Sequence, residues 1–250
     1  MRVIVVSPHP DDETLGAGGT ILRLMAEGHE LFWVNVTSMR DLDRYTEAEK
    51  LNRQMQLKSI EKFYNYSEKG KVFHLNFPAA KLENVETDIA VERMSSIFKE
   101  VQPEMLILPD FNDAHSDHKR VFDWCFACSK VFRFPYIKTI LTMEILSETD
   151  FGRPEMPFYP NYFVDISNYI EKKIEALKIY DTEMGRHPFP RSEENIKALA
   201  VLRGAMAGVP YAEAFRLIII ISEIDKSEII YKVHNHIYRY VIINIAILLE

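Results

Sequence analysis

The chain has 250 residues, of which 47% are hydrophobic and 27% are charged, so it is long enough and apolar enough to bury one large core. Its 30 basic and 37 acidic residues give a formal net charge of −7 at pH 7. This balance argues against nucleic acid as a partner, because binding to phosphates requires a basic surface.

Both ends of the sequence bear on its location in the cell. The apolar run at residues 1–6 leads directly into Ser7-Pro8-His9. This run is shorter than the apolar core of a secretory signal, which has about 7–15 residues. The apolar stretches at 218–221 and 241–249 are separated by charged residues, and neither reaches the roughly 20 residues of a membrane span. We therefore predict a cytoplasmic protein without a membrane span.

Short apolar runs alternate with helical patterns along the first two-thirds of the chain. Strands are predicted at residues 3–6, 31–36, 72–75, 105–108, 137–143 and 162–166. Helices are predicted at 18–27, 45–63, 88–100, 169–180 and 193–207. This alternation predicts an α/β protein with a three-layer Rossmann-like fold, in which helices cover both faces of a mainly parallel sheet.

Two small motifs are interpreted as structural. Cys125 and Cys128 lie in an apolar helical run, so we interpret them as buried cysteines and not as a redox or zinc pair. The segment Gly16-Ala17-Gly18-Gly19 does not fit the dinucleotide pattern G-x-G-x-x-G, and we expect it to allow close backbone packing where the first helix starts.

Two clusters of polar residues follow predicted strands. His9, Asp11 and Asp12 come directly after the first strand, and a second cluster at 109–118 ends in His118 after the fourth. Ligand sites in such sheets form at the carboxyl ends of the strands, so the two clusters are expected to meet. Imidazole and carboxylate groups are zinc ligands, and catalytic zinc takes about three of them. Taken singly, each cluster is more typical of turn and helix-capping chemistry, and the metal-site interpretation rests on the two together.

The sequence resembles the LmbE/PIG-L family of zinc-dependent N-acetylglucosamine deacetylases. The resemblance rests first on the residues of two segments: Pro8-His9-Pro10-Asp11-Asp12-Glu13 and His115-Ser116-Asp117-His118. Weaker matches follow: Val164-Asp165-Ile166-Ser167, Arg203-Gly204 and Tyr211-Ala212-Glu213-Ala214-Phe215. It covers residues 1–217, which we predict to form one deacetylase domain. We predict that residues 218–250 are an extension packed on this domain or at an oligomer contact.

The resemblance implies a role for each motif residue. Zinc would be bound by His9, Asp12 and His118. Asp11 would be the general base that activates water at the metal. His115 would stabilise the oxyanion and protonate the leaving amine, and Asp117 would orient His115. A sugar-binding arginine is expected on the helix after the second strand, where Arg53 is the best match.

The expected reaction is removal of the acetyl group from an N-acetylglucosamine-containing small molecule or glycoconjugate. Two alternatives stay open at this point: a zinc amidase that acts on another acylated amine, and a sugar-binding relative without catalysis. Iron(II) is an alternative to zinc, because it accepts the same ligands. The partner is expected to be a small amino sugar, and the apolar tail is a candidate contact in a homo-oligomer.

Overall fold

A seven-stranded sheet forms the centre of the computed structural model, which describes residues 1–40 and 42–222. Its strands are β1 (Arg2–Ser7), β2 (Glu30–Ser38), β3 (Gly70–Pro78), β4 (Met105–Leu108), β5 (Thr139–Met143), β6 (Tyr162–Asp165) and β7 (Ala212–Ile220). Their order is β3-β2-β1-β4-β5-β7-β6. Strands β1 to β5 pair in parallel, and β7 pairs antiparallel with both β5 and β6. The mainly parallel α/β sheet confirms the predicted fold class.

Helices alternate with these strands. They are α1 (Asp12–Ala26), α2 (Glu47–Tyr64), α3 (Tyr66–Lys69), α4 (Thr87–Val101), α5 (Ser116–Ala127), α6 (Ile170–Leu177) and α7 (Glu193–Ala207). Helix α2 begins two residues later than predicted, because the Thr46 hydroxyl accepts a bond from the Glu49 amide and the Glu49 carboxylate accepts one from the Thr46 amide. No helix of the described residues is long and apolar enough to cross a membrane.

The buried strand β1 shows why the fold has three layers. Val3 and Val5 pack into a core formed with α1, α2 and α6, whereas Ile4 and Val6 pack into a second core formed with α4 and α5. Successive side chains of a strand point to opposite faces, so an unbroken apolar run places one helical layer on each face of the sheet.

The order of the strands determines where a site forms. From β1 the chain proceeds to β2 and β3 on one side, while β4 and β5 lie on the other. The order therefore reverses between β1 and β4, and the loops after these two strands meet at their carboxyl ends. These loops carry the two polar clusters of the sequence.

Helix α1 begins at Asp12, six residues before the predicted start. Its glycines lie inside the helix, where they allow the expected close packing: a Cβ on Gly16 would lie 2.7 Å from the sulfur of Met143, and one on Gly19 would lie 2.7 Å from Cγ2 of Ile166. The predicted helical start was wrong because glycine lowers helix propensity, and this close packing overrides that preference.

Strand β7 was not predicted. It extends to Ile220, so the predicted boundary between residues 217 and 218 falls inside a strand of the sheet. Residues 218–250 are predicted to pack on this domain or at an oligomer contact. Residues 223–250 of this segment lie outside the described part of the chain, so their role stays a prediction. Both cysteines are buried, Cys125 within α5 and Cys128 directly after it.

Candidate metal centre and active-site cleft

Three side chains predicted as ligands converge at the switch point of the sheet. His9 lies on the loop after β1, Asp12 begins α1, and His118 lies in the first turn of α5. Nδ1 of His9 lies 3.5 Å from Oδ2 of Asp12, and Nε2 of His118 lies 3.3 Å from the same oxygen. The two ring nitrogens are 3.4 Å apart. The three donor atoms therefore form a nearly equilateral triangle.

The triangle fits a tetrahedral ion. Zinc with bonds of about 2.0–2.1 Å to its ligands separates the ligand atoms by about 3.3–3.4 Å, close to the spacing of these three donor atoms.

The electrostatic surroundings of His9 also favour a cation at this position. Although burial opposes the shift, hydrogen bonds to Asp117 and Asp12 raise the pKa of His9 to about 9. The surroundings of the His9 ring thus favour positive charge, which a metal at Nδ1 would supply in place of a proton.

Each histidine of the triangle contacts a carboxylate through the ring nitrogen that lies outside the triangle. Nδ1 of His118 lies 2.8 Å from Oδ2 of Asp113, which is fully buried, and Nε2 of His9 lies 3.0 Å from Oδ2 of Asp117. Such carboxylates fix the tautomer and the orientation of a ligating ring. The sequence did not single out Asp113, because several acidic residues share its loop.

The position of Asp117 corrects one prediction. Its carboxylate was expected to orient His115, but it contacts His9 and accepts hydrogen bonds from the backbone amides of Ala80 at 2.6 Å and Leu82 at 3.3 Å. The connection to His115 runs through the backbone instead, since the amide of Asp117 donates to Nδ1 of His115 at 3.0 Å. Helix α5 begins at Ser116 and His115 is its N-cap residue, so the first turn of the helix imposes the arrangement.

Asp11 lies beside the triangle in a strained conformation. Its φ of 128° is in a region that residues with side chains rarely adopt, and such strain persists where the surroundings enforce it. Here its amide donates to the buried carboxylate of Glu13 at 3.1 Å, while its own carboxylate accepts from Nη1 of Arg191 at 2.7 Å. Burial and the adjacent Asp12 carboxylate raise the pKa of Asp11 well above its ordinary value, and Arg191 partly opposes this.

His115 lies at the rim of the triangle, its ring centre 4.6 Å from that of His9. Because its Nδ1 accepts a backbone hydrogen bond, the proton of the neutral ring is on Nε2. Burial and the positive charges of His9 and His118 lower the pKa of His115 to about 4. The resemblance implies that His115 is a proton donor, and the backbone hydrogen bond at Nδ1 leaves Nε2 as the nitrogen that can donate.

Two of the four described arginines that line the cleft, Arg53 and Arg191, lie close enough to Glu183 to pair with it. Arg53, predicted to bind the sugar, lines the cleft, but its guanidinium pairs with Glu183 and donates to the carbonyl of Pro10 at 3.3 Å. Arg191, which the sequence did not reveal, contacts Asp11, Glu183 and Glu148. It lies on the loop before α7, 180 positions from Asp11, so no local pattern connects the two.

A cleft of about 390 Å³ opens above these groups, within the usual range of about 300–1,000 Å³ for ligand pockets. At its base lie His9, Asp11 and His115, and its walls come from the loop after β2, helix α2 and the loop after β3. Glu148, Glu183 and Arg191 close the remaining side. The cleft gives a ligand access to the metal triangle.

The sequence and the fold of the chain are similar to those of known proteins. The chain is 26% identical over 230 residues to the diacetylchitobiose deacetylase of Thermococcus kodakarensis, covering 87% of this chain and 83% of that protein. Its fold is similar to that of N,N'-diacetylchitobiose deacetylase from Pyrococcus horikoshii, with a TM-score of 0.68, 24% identity, and coverage of 87% and 83% of the two chains.

The fold also accommodates a different reaction. GalB, the 4-carboxy-2-hydroxymuconate hydratase of Pseudomonas putida, aligns with a TM-score of 0.66 and 18% identity over 90% of this chain and 98% of that one. The fold alone therefore does not determine the reaction. The family model described as PIG-L, GlcNAc-PI de-N-acetylase, matches residues 4–128, half of the chain. The chain belongs to the PIG-L (LmbE) family.

Proposed function

We propose that the chain is a metal-dependent hydrolase that removes the acetyl group from an N-acetylglucosamine-containing small molecule or glycoconjugate. The observation that carries the proposal is the triangle of donor atoms from His9, Asp12 and His118, with Asp11 and His115 beside it at the base of one cleft. The Thermococcus relative is named for deacetylation of an N-acetylated sugar, and the family description names a de-N-acetylase, which supports this reaction class.

Zinc is the proposed ion, bound by Nδ1 of His9, Oδ2 of Asp12 and Nε2 of His118. When bound, it would act as a Lewis acid and lower the pKa of coordinated water to about 7. Iron(II) is the alternative, because the same two imidazoles and one carboxylate suit it. Metal analysis of the purified protein, followed by activity after loading with each ion, identifies the native one.

Asp11 is the proposed general base. Its carboxylate lies at the base of the cleft without belonging to the triangle, and its raised pKa brings it closer to the working pH of a base. The oxygen of water bonds to the acetyl carbon while a proton passes to Asp11. The C–N bond then breaks, and Asp11 returns the proton to the leaving nitrogen, so that acetate and a free amine are released.

His115 is proposed to hold the oxyanion that forms on the acetyl oxygen. The neutral ring with its proton on Nε2 can donate one hydrogen bond into the cleft, while Nδ1 stays bound to the amide of Asp117. Loss of one such donor typically lowers kcat by about 10²–10³-fold. This assignment gives His115 no part in protonating the amine, because its only ring proton is needed for the hydrogen bond.

The test is release of free amine, by metal-loaded protein, from a panel of N-acetylglucosamine conjugates and from the same conjugates with longer acyl groups. Asp11→Asn is expected to lower turnover by about 10²–10⁴-fold, leaving a residual rate, and to retain one metal ion per chain, since Asp11 lies outside the triangle. Asp123→Asn, an exposed residue of α5, is the matched control and should retain full activity.

Three outcomes would contradict the proposal in different ways. Full activity of Asp11→Asn would rule out Asp11 as the base. Turnover only of conjugates with longer acyl groups would favour the alternative of a zinc amidase on another acylated amine. Ligand binding without turnover of any conjugate, with metal bound, would favour a sugar-binding role.

A further inference from the structure

We infer that Arg191 is a positioning residue that holds the Asp11 carboxylate in its working orientation. The inference rests on the proposed function, in which Asp11 is the base. It starts from the single hydrogen bond of 2.7 Å that Nη1 of Arg191 donates to Oδ2 of Asp11. Within residues 1–40 and 42–222, no other side chain donates a hydrogen bond to this carboxylate.

The guanidinium is itself held from three directions. Its Nε donates to the hydroxyl of Ser147 at 2.8 Å, its Nη2 lies 3.4 Å from Oε1 of Glu148, and its Nη1 lies 3.2 Å from Oε2 of Glu183. A planar group with several fixed partners has few orientations left. Because the loop after β5 and the loop before α7 both anchor it, Arg191 is a rigid support for Asp11.

The charges of Asp11 and Asp12 explain why a support is needed. Two adjacent carboxylates repel each other, and the repulsion is strong in a buried site. Without a cation, Asp11 would turn away from the metal triangle. Arg191 compensates this charge from the opposite side, and it engages only Oδ2, which leaves Oδ1 for the proton of the attacking water.

Arg53 is a natural comparison, because it lines the same cleft. It pairs with Glu183, donates to the backbone carbonyl of Pro10 and lies 5.9 Å from the centre of the Tyr180 ring. Among the described residues, Arg191 donates a hydrogen bond to Asp11 and Arg53 does not. We expect its replacement to affect substrate binding or the loop more than the orientation of the base.

The test compares Arg191→Gln and Arg191→Lys in the full-length, metal-loaded protein. Misplacement of the base predicts a loss of about 100-fold in kcat for Arg191→Gln, with KM and metal content little changed. Arg191→Lys should recover part of kcat, because it restores the charge without the fixed planar contacts. Arg203→Gln is the matched control: Arg203 also pairs with a carboxylate, that of Glu144, its side chain is 15% exposed like that of Arg191, and it lies outside the cleft.

Two further measurements separate positioning from a structural role. In the Asp11→Asn background, Arg191→Gln should cause no additional loss of residual activity, since it acts through Asp11; full additivity of the two losses would overturn the inference. Equal losses of kcat in Arg191→Gln and Arg203→Gln would also overturn it.

A crystal structure of Arg191→Gln decides the question even without turnover. The inference predicts an Asp11 carboxylate that is displaced or spread over several positions, with His9 and Asp12 unmoved. An Asp11 carboxylate in its original place would overturn it. Failure of wild-type protein on every conjugate would count against the proposed function and leave this structural result standing.

Discussion

The carboxylate of Asp113 lies 2.8 Å from Nδ1 of His118, on the side of the ring opposite to the nitrogen that faces His9 and Asp12. Asp113 also accepts a hydrogen bond of 2.7 Å from the hydroxyl of Thr149. Both residues of the Asp113–His118 pair are fully buried. The carboxylate selects the tautomer with the proton on Nδ1, which leaves the lone pair of Nε2 directed at the metal position.

Asp113→Asn is therefore expected to weaken metal binding by about 10–100-fold, the usual effect of losing such a carboxylate behind a ligating histidine. Competition with a chromogenic chelator measures the affinity. Asp123→Asn, on the exposed side of α5, controls for the loss of one acidic residue near the same helix. An unchanged affinity in Asp113→Asn would show that His118 is oriented by other contacts.

The buried ion pair between Lys173 and Glu213 connects α6 with β7 and supports the first helix. The two groups lie 2.6 Å apart with side chains 6% and 5% exposed, Lys173 donates to the carbonyl of Leu15, and Glu213 accepts from two backbone amides of α1. Lys173→Met should lower the free energy of unfolding by about 3–5 kcal/mol, because it leaves a buried carboxylate without its cation.

Urea unfolding of single and double variants tests this prediction. Adding Glu213→Gln to Lys173→Met should restore part of the lost stability, since the unpaired charge is then removed. The exposed pair Lys71–Glu100 is the control, and Lys71→Met should cost no more than about 1 kcal/mol. Similar losses for Lys173→Met and Lys71→Met would contradict the prediction.

The two cysteines should be unreactive in the native protein. Burial raises the pKa of Cys128 from 9.0 to about 11 and raises that of Cys125 well above its usual value. The thiolate is the reactive form, so labelling of native protein by a thiol reagent at pH 8 should be far slower than labelling in denaturant.

The same pKa shift predicts the pH dependence of stability. Because folding favours the neutral thiol, the contribution of Cys128 is complete below pH 9 and is lost as the pH rises from 9 to about 11. Cys128→Ala should remove this loss of stability at alkaline pH relative to the parent protein.

For the labelling experiment, rapid reaction of Cys128 in native protein at pH 8 would contradict the prediction and indicate a redox cysteine.

The parallel part of the fold was predictable because its strands are buried on both faces and appear in the sequence as short apolar runs. The site was predictable for a related reason: the loops after β1 and β4 must meet, and both are dense in ligand residues. Strand β7 was missed because its place between β5 and β6 depends on antiparallel pairing with distant segments.

Residues that act from a distance were missed for the same physical reason. Arg191 reaches Asp11 across 180 positions, and only the packing of α7 and its preceding loop brings it there. Asp113 was within the polar cluster at 109–118, but sequence alone does not distinguish the carboxylate behind His118 from Asp110, which contacts Thr142 instead. Asp117 was recognised in the sequence. Which residue its carboxylate contacts depends on the direction of the Asp117 side chain in the first turn of α5.

The most direct test of the central claim uses an N-acetylglucosamine conjugate in water enriched in heavy oxygen. Metal-loaded protein is predicted to release equal amounts of acetate and free amine, with one solvent oxygen in each acetate, and metal-free protein is predicted to release neither. A product that gains water without cleavage of the C–N bond, as a hydratase would give, would contradict the account. Equal rates of acetate release with and without metal would also contradict the account.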